Sequence, residues 1–311
     1  MTTALQAPPG QTPTAILVEQ RFPLGLNTRI ESIRSLYEQA KVGRWDPYRD
    51  VAWDDLRPGD HDKATCDAAR RVWSRRAWTE YTALAETPAL LVRFCLELGR
   101  EADPKYFLTV RNTEEAWHIE CFHEIAERLG GYLDRPGDAA WEPVFNQHRY
   151  RQALDGRQPI DPYVAVHCAM EDGLEFDLCA LYREHSRDPA VAKVMERITA
   201  AKQRHAAFGW LYLEARAAQM EPLARAQVAE HIARWIGEVL WKGYHVPTLS
   251  TDIDTAQDTA DRHLLAIAGL GAAEAADEEA VVVDWLARSR QRLAEFDIAL
   301  PPIRHSRLGL V

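Results

Sequence analysis

Almost nothing in this chain reads as a β-strand. From about residue 28 onward no Val/Ile/Thr alternation closed by Asn-Gly turns appears, and Leu, Ala, Glu and Arg, all strong helix formers, dominate. Such a chain must bury its apolar surface by packing helix on helix. Its breakers bound the segments. A helix capped at Asn27 or Thr28 runs to about Val42 and stops at Gly43. A long one is expected over about 63–99, with a kink or break near Glu86 because Pro88 lies inside it. Others are expected at about 104–129, from Asp138 to 154, at 162–185, from Asp188-Pro189 to 220, and at 221–243, 255–268 and 275–296. The four long segments at 63–99, 104–130, 162–186 and 189–220 have the lengths and short joins of an antiparallel four-helix bundle. Residues 1–15, with Pro8, Pro9 and Pro13, read as a flexible leader, and 16–311 as one helical domain.

A chain of 311 residues buries enough surface to fold without disulfides or a structural metal. Its net charge is −10, from 37 basic and 47 acidic residues. That balance argues against a general nucleic-acid role, which needs clustered Lys and Arg, but leaves a small anionic substrate open. No run of 18 apolar residues exists, so no transmembrane helix is expected, and the first twenty residues lack the basic and apolar regions of a secretory signal. Five scattered cysteines without a CxxC fit reduced thiols in a cytoplasm.

The residues that carry chemistry lie on the long segments. Glu115 and His118 are three apart, so they project from one helix face and can give a metal an oxygen and a nitrogen. Glu86 lies 29 residues earlier; in the second half Asp172 lies 33 residues before His205. Each half thus pairs a carboxylate on one helix with a histidine on its partner, the layout of carboxylate di-iron bundles. His167 and Glu171 are four apart, one turn from Asp172, and are candidates for a supporting or substrate-facing role; so is Arg204, beside His205. Glu120 and His123 repeat the Glu-x-x-His spacing but face about 140° away, as surface polar residues. The glycine cluster Gly269-Leu-Gly271 follows no strand and makes no flavin or nicotinamide motif.

These segments resemble the ferritin-like carboxylate di-iron oxidases and oxygenases, close to the ribonucleotide-reductase small-subunit-like group. NTEEAWHIECF at 112–122 resembles that group's first D-E-x-R-H helix, EDGLEFDL at 171–178 its E-G-L helix, and RDPAVAKVMERITAAKQRHAAFGW at 187–210 its second D-E-x-R-H helix. LYEQAKVGRWDP at 36–47 resembles the opening helix, so the likeness spans about 28–220. It implies an all-α ferritin-like bundle with added helices at both ends. It also implies metal ligation by Glu86, Glu115, His118, Asp172 and His205, holding one or two iron ions, with manganese as an alternative. O2 would be co-substrate, a small organic molecule the substrate, a separate reductase or the substrate itself the electron source, and a homodimer the assembly. The alternative reading is a degenerate bundle without redox activity that binds a ligand or partner.

Lys202 departs from this pattern, standing where the group has a ligand Glu, and Trp117 replaces an Arg. An ammonium has donors and no lone pair, so Lys202 is the position on which the mechanism turns. Three readings follow. Lys202 stays charged, pairs with Glu115 or Asp172 and replaces a metal; or it loses its proton and ligates; or the ligands rearrange and Glu171 or Glu175 fills the gap. The region after 221 reads as helices that wrap the bundle or face a second copy, without chemistry. Its AAEAADEE run at 272–279 reads as a solvated helix start, and His305 as part of a tail.

Overall fold

The computed structural model describes Leu26, residues 29–97 and residues 101–311. The leader at 1–15, the caps at Asn27 and Thr28 and the stop at Gly99 lie outside the described residues.

Helix α1 (Glu31–Val42) is tied at its start to the bundle, where Ile30 N donates to Asp103 Oδ2 at 2.9 Å. A short α2 (Pro47–Asp50) follows, with Asp46 as its cap and Pro47 at its first position, where no N–H is needed. Helices α3 (Lys63–Tyr81) and α4 (Ala83–Leu96) form one arm of the bundle. The break between them is at Thr82, not at Glu86 or Pro88. Thr82 Oγ1 bonds Thr79 O at 2.6 Å and the hydroxyl of Tyr244, offering the backbone an alternative to the helical ladder. Pro88 is carried inside α4.

The second arm is α5 (Ala102–Gly130), stopped by Gly131 at φ 91°. A crossover then carries α6 (Glu142–Phe145) and α7 (Tyr150–Leu154), so the helix expected from Asp138 to 154 is broken into pieces. The third arm is composite: α8 (Ile160–Val164), a π-helical segment (Ala165–Glu171) and α9 (Asp172–Glu184). The fourth is α10 (Pro189–Ala217), capped by Asp188, whose carboxylate accepts from Ala190 N and Val191 N. Helices α11 (Pro222–Glu238), α12 (Ala256–Ala268) and α13 (Ala275–Ala294) close over the bundle. A two-residue antiparallel ribbon, β1 (Arg304–His305) with β2 (Gly309–Leu310), ends the chain.

The arms pack α3 and α4 on α5, and α10 on α9 and the π-helical segment. That last contact requires Gly209: a Cβ there would overlap the carbonyl of Cys168 and the amide of Ala169. The fold is thus the four-helix bundle with one long crossover of ferritin-like proteins. No helix among the described residues is long and apolar enough to cross a membrane.

Candidate metal centre

Two clusters of charge lie buried among the arms. The first gathers Glu80 from α3, Glu115 and His118 from α5, Asp172 and Glu175 from α9, and Lys202 and His205 from α10. Lys202 Nζ donates to both oxygens of Glu80 at 2.9 Å and to Glu175 Oε2 at 2.5 Å. Burial opposes its charge, but Glu175 and Glu80 outweigh that and hold the ammonium well above its ordinary pKa. A second cation stands nearby. Arg111 Nη1 lies 3.0 Å from Glu115 Oε1, and its Nη2 lies 2.9 Å from Asp172 Oδ1.

Burial governs the acids of this cluster. It raises Glu115 well above the usual carboxylate range, lifts Asp172, and pushes Glu175 up to about 7. At Glu80, burial is outweighed by Lys202 and His118, so its carboxylate stays ionised. Burial also holds His205 well below its ordinary pKa, as a neutral imidazole. Its Nε2 lies 2.9 Å from Glu114 Oε2, an oxygen of the carboxylate that also takes Arg204. His118 Nδ1 lies 2.8 Å from Glu80 Oε1. Four buried atoms that could ligate have no hydrogen-bond partner: Glu115 Oε2, His118 Nε2, Asp172 Oδ2 and His205 Nδ1.

The second cluster joins Glu86 from α4 with His167 and Glu171 from the π-helical segment. One ligand atom from each lies within 4.8 Å of the other two. His167 Nδ1 is 2.7 Å from Glu171 Oε2 and 3.6 Å from Glu86 Oε2. Arg149 faces both carboxylates: its Nε is 3.0 Å from Glu86 Oε1, its Nη2 3.1 Å from Glu171 Oε1 and its Nη1 3.2 Å from Glu171 Oε2. His245 Nε2 adds a contact of 2.8 Å to Glu171 Oε1. Burial is outweighed at Glu171 by Arg149 and the two histidines, which hold its carboxyl well below the usual range. The ring of Tyr163 lies 4.3 Å from that of His167, with its buried hydroxyl unpartnered.

The structure therefore divides the residues that the sequence grouped. Glu115, His118, Asp172 and His205 face one buried cluster, whereas Glu86 stands in the other with His167 and Glu171. Glu80, one turn and a helix break earlier, takes the place expected of Glu86 beside His118. Lys202 pairs with Glu80 and Glu175 instead of Glu115 or Asp172, the partners named in the first reading. Arg204 pairs with Glu114. Sequence reasoning missed Glu80, Glu114, Arg111 and Arg149. It also placed no chemistry after residue 221, where His245 contacts Glu171. The acidic run is not wholly solvated, since Glu278 is fully buried between Arg262 and Tyr182. His305 is buried as well, with Nε2 2.8 Å from Leu249 O.

A divalent ion fits the second cluster. Glu86 Oε2 and Glu171 Oε2 both lie toward His167 Nδ1, so two oxygens and a nitrogen converge, although Glu171 Oε2 also accepts from Arg149 Nη1 at 3.2 Å. Mixed oxygen and imidazole donors suit iron or manganese. The first cluster also offers ligand atoms, the four without partners, but beside two cations, Lys202 and Arg111, where the second cluster has Arg149.

No family model matches the sequence. No curated protein matches it. Solved structures do match. One is a variant of an R2-like ligand-binding oxidase with an aerobically reconstituted Mn/Fe cofactor, 16% identical, covering 84% of this chain and 93% of that one at a TM-score of 0.65. Another is an R2-like ligand-binding oxidase with an aerobically reconstituted metal cofactor after photoconversion, 15% identical, covering 84% and 92% at 0.65. At such identities the likeness is one of fold: the chain has the ferritin-like architecture of the R2-like proteins.

Proposed function

We propose that the chain is a metal-dependent oxidase that holds one iron or manganese ion at Glu86, His167 and Glu171, with Lys202 serving as the fixed second cation of the core. The observation that carries this reading is the convergence of those three ligand atoms within 4.8 Å. The R2-like fold and the reconstituted metal cofactors of the proteins that share it, Mn/Fe in one of them, add support.

Such an ion, held by Glu86, His167 and Glu171, would supply one-electron chemistry with O2. The chain does the rest. Arg149 orients both carboxylates, as an outer partner of metal ligands does. His245 holds Glu171 from the other side. Tyr163, whose phenol burial keeps well above its ordinary pKa, retains its proton at Oη beside His167. A cavity of about 280 Å³ lies against Arg149, Tyr163, His167 and Trp235 and offers room for a small organic substrate. The electrons come from a separate reductase or from the substrate itself. The reading includes a cytoplasmic homodimer; the unpaired state of all five cysteines supports the compartment, and light scattering tests the dimer.

Metal content per chain after anaerobic loading with Fe(II) tests the proposal, in wild type, His167→Ala and Lys202→Glu. One iron in wild type, none in His167→Ala and a second in Lys202→Glu is the expected result. No metal in wild type overturns it and favours the degenerate binding protein, a reading to which the two cations in the first cluster lend weight.

A further inference from the structure

A separate cavity of about 60 Å³ lies beside Lys202, Glu80 and Glu175. Arg75, Arg76 and Arg262 line it, and Val72, Phe122 and Met195 form an apolar wall. The charges around it almost balance. Lys202 is met by Glu80 and Glu175, and Arg262 Nε lies 2.7 Å from Glu278 Oε2. Arg75 donates to Gly243 O at 2.6 Å and stands 3.8 Å from Asp258.

Arg76 is the exception. It has no hydrogen bond or ion pair with any described residue, and its Nη1 is shielded from solvent without a partner. Its guanidinium carbon lies 4.3 Å from the centre of the Trp73 ring and 4.0 Å from that of Tyr182. The rings engage the faces of the cation and leave its buried Nη1 unanswered. Burial depresses its pKa, although Tyr182 and Glu278 oppose the shift. A guanidinium edge is matched in plane by an oxyanion with two oxygens. At about 10–15 Å³ of such space per water, the cavity holds an anion of about four heavy atoms.

We infer that this cavity is a binding site for a small planar oxyanion, a short carboxylate such as acetate or the isoelectronic bicarbonate, received by Arg76 with its back against Val72, Phe122 and Met195. The site does not rest on the metal reading, although His245 borders both.

Calorimetric titration of the full chain at pH 7 and constant ionic strength tests this, with acetate, bicarbonate and chloride as probes, in wild type, Arg76→Met and Arg76→Lys. Acetate or bicarbonate should bind once per chain, at least tenfold tighter than chloride, and the tighter of the two identifies the source. Arg76→Met should lose at least tenfold in affinity, and the thermal shift that the anion gives wild type should vanish. Should that variant not fold, Arg76→Lys decides: a point charge without the edge should bind more weakly. No binding to wild type, equal binding of chloride, or unchanged affinity in the folded Arg76 variants overturns the inference. Titrating His167→Ala separates the two proposals, because this variant should keep the anion and lose the metal.

Discussion

Lys202 is the residue on which the core's charge depends. Its ammonium satisfies Glu80 through both oxygens and Glu175 through one. Lys202→Met would leave the buried Glu80 without its ammonium and with His118 as its remaining partner, at a cost of up to about 3–5 kcal/mol, measurable by urea denaturation. Arg149→Met should leave the fold intact but lower the affinity for Fe(II) or Mn(II) by about 10–100-fold in a metal-competition titration, because the ligand carboxylates lose their orienting partner. How much of this was legible follows from distance along the chain. Glu115 with His118, and His167 with Glu171, are pairs within one helical turn, which spacing alone reveals. Glu80 was displaced by Glu86 because a spacing of about thirty residues is no guide across a broken helix. Arg149 and His245 arrive from the crossover and the C-terminal third, and nothing in their local sequence says where they point.

Among the elements, the π-helical segment matters most. The apolar pattern predicts an ordinary helix over 162–185, and a π insertion leaves no periodic mark. It is visible only in what it does to its neighbour: the Cys168 carbonyl meets Gly209, which a Cβ would overlap. Gly209→Ala has no flexible side chain to push aside. We expect a loss of at least about 3 kcal/mol in thermal denaturation, at the upper end for overpacking because backbone must move. The long helices themselves were readable from caps and breakers: Asp188-Pro189 opens α10 where the sequence says it should. The break at Thr82 was not, since its cause is a hydroxyl contact from Tyr244, far along the chain.

For the molecule as a whole, the buried acids set how stability responds to pH. Glu175 has its pKa raised from an ordinary 4.5 to about 7 by burial. Between those values the folded chain holds the proton more tightly than the unfolded one, so this group's contribution is full below about pH 4.5 and is lost as pH rises through about 7. At 1.36 kcal/mol per pKa unit the loss is about 3 kcal/mol. Glu80 and Glu171, whose pKa values are lowered, act with the opposite sign and lose their contribution as pH falls below the ordinary carboxylate value. Glu175→Gln should therefore flatten the decline between about pH 5 and 7 in a series of denaturation curves and leave the acid limb unchanged.

Three consecutive residues after α11 each grip a different part of the core. Gly243 O receives Arg75, Tyr244 Oη donates to Thr79 O at 3.0 Å, and His245 meets Glu171. A ribosome that has just released Ala217 has made all four arms of the bundle and none of this clasp. The interior is thus completed by the last third of the chain, and a growing polypeptide has no finished pocket for metal or anion until synthesis has passed residue 245.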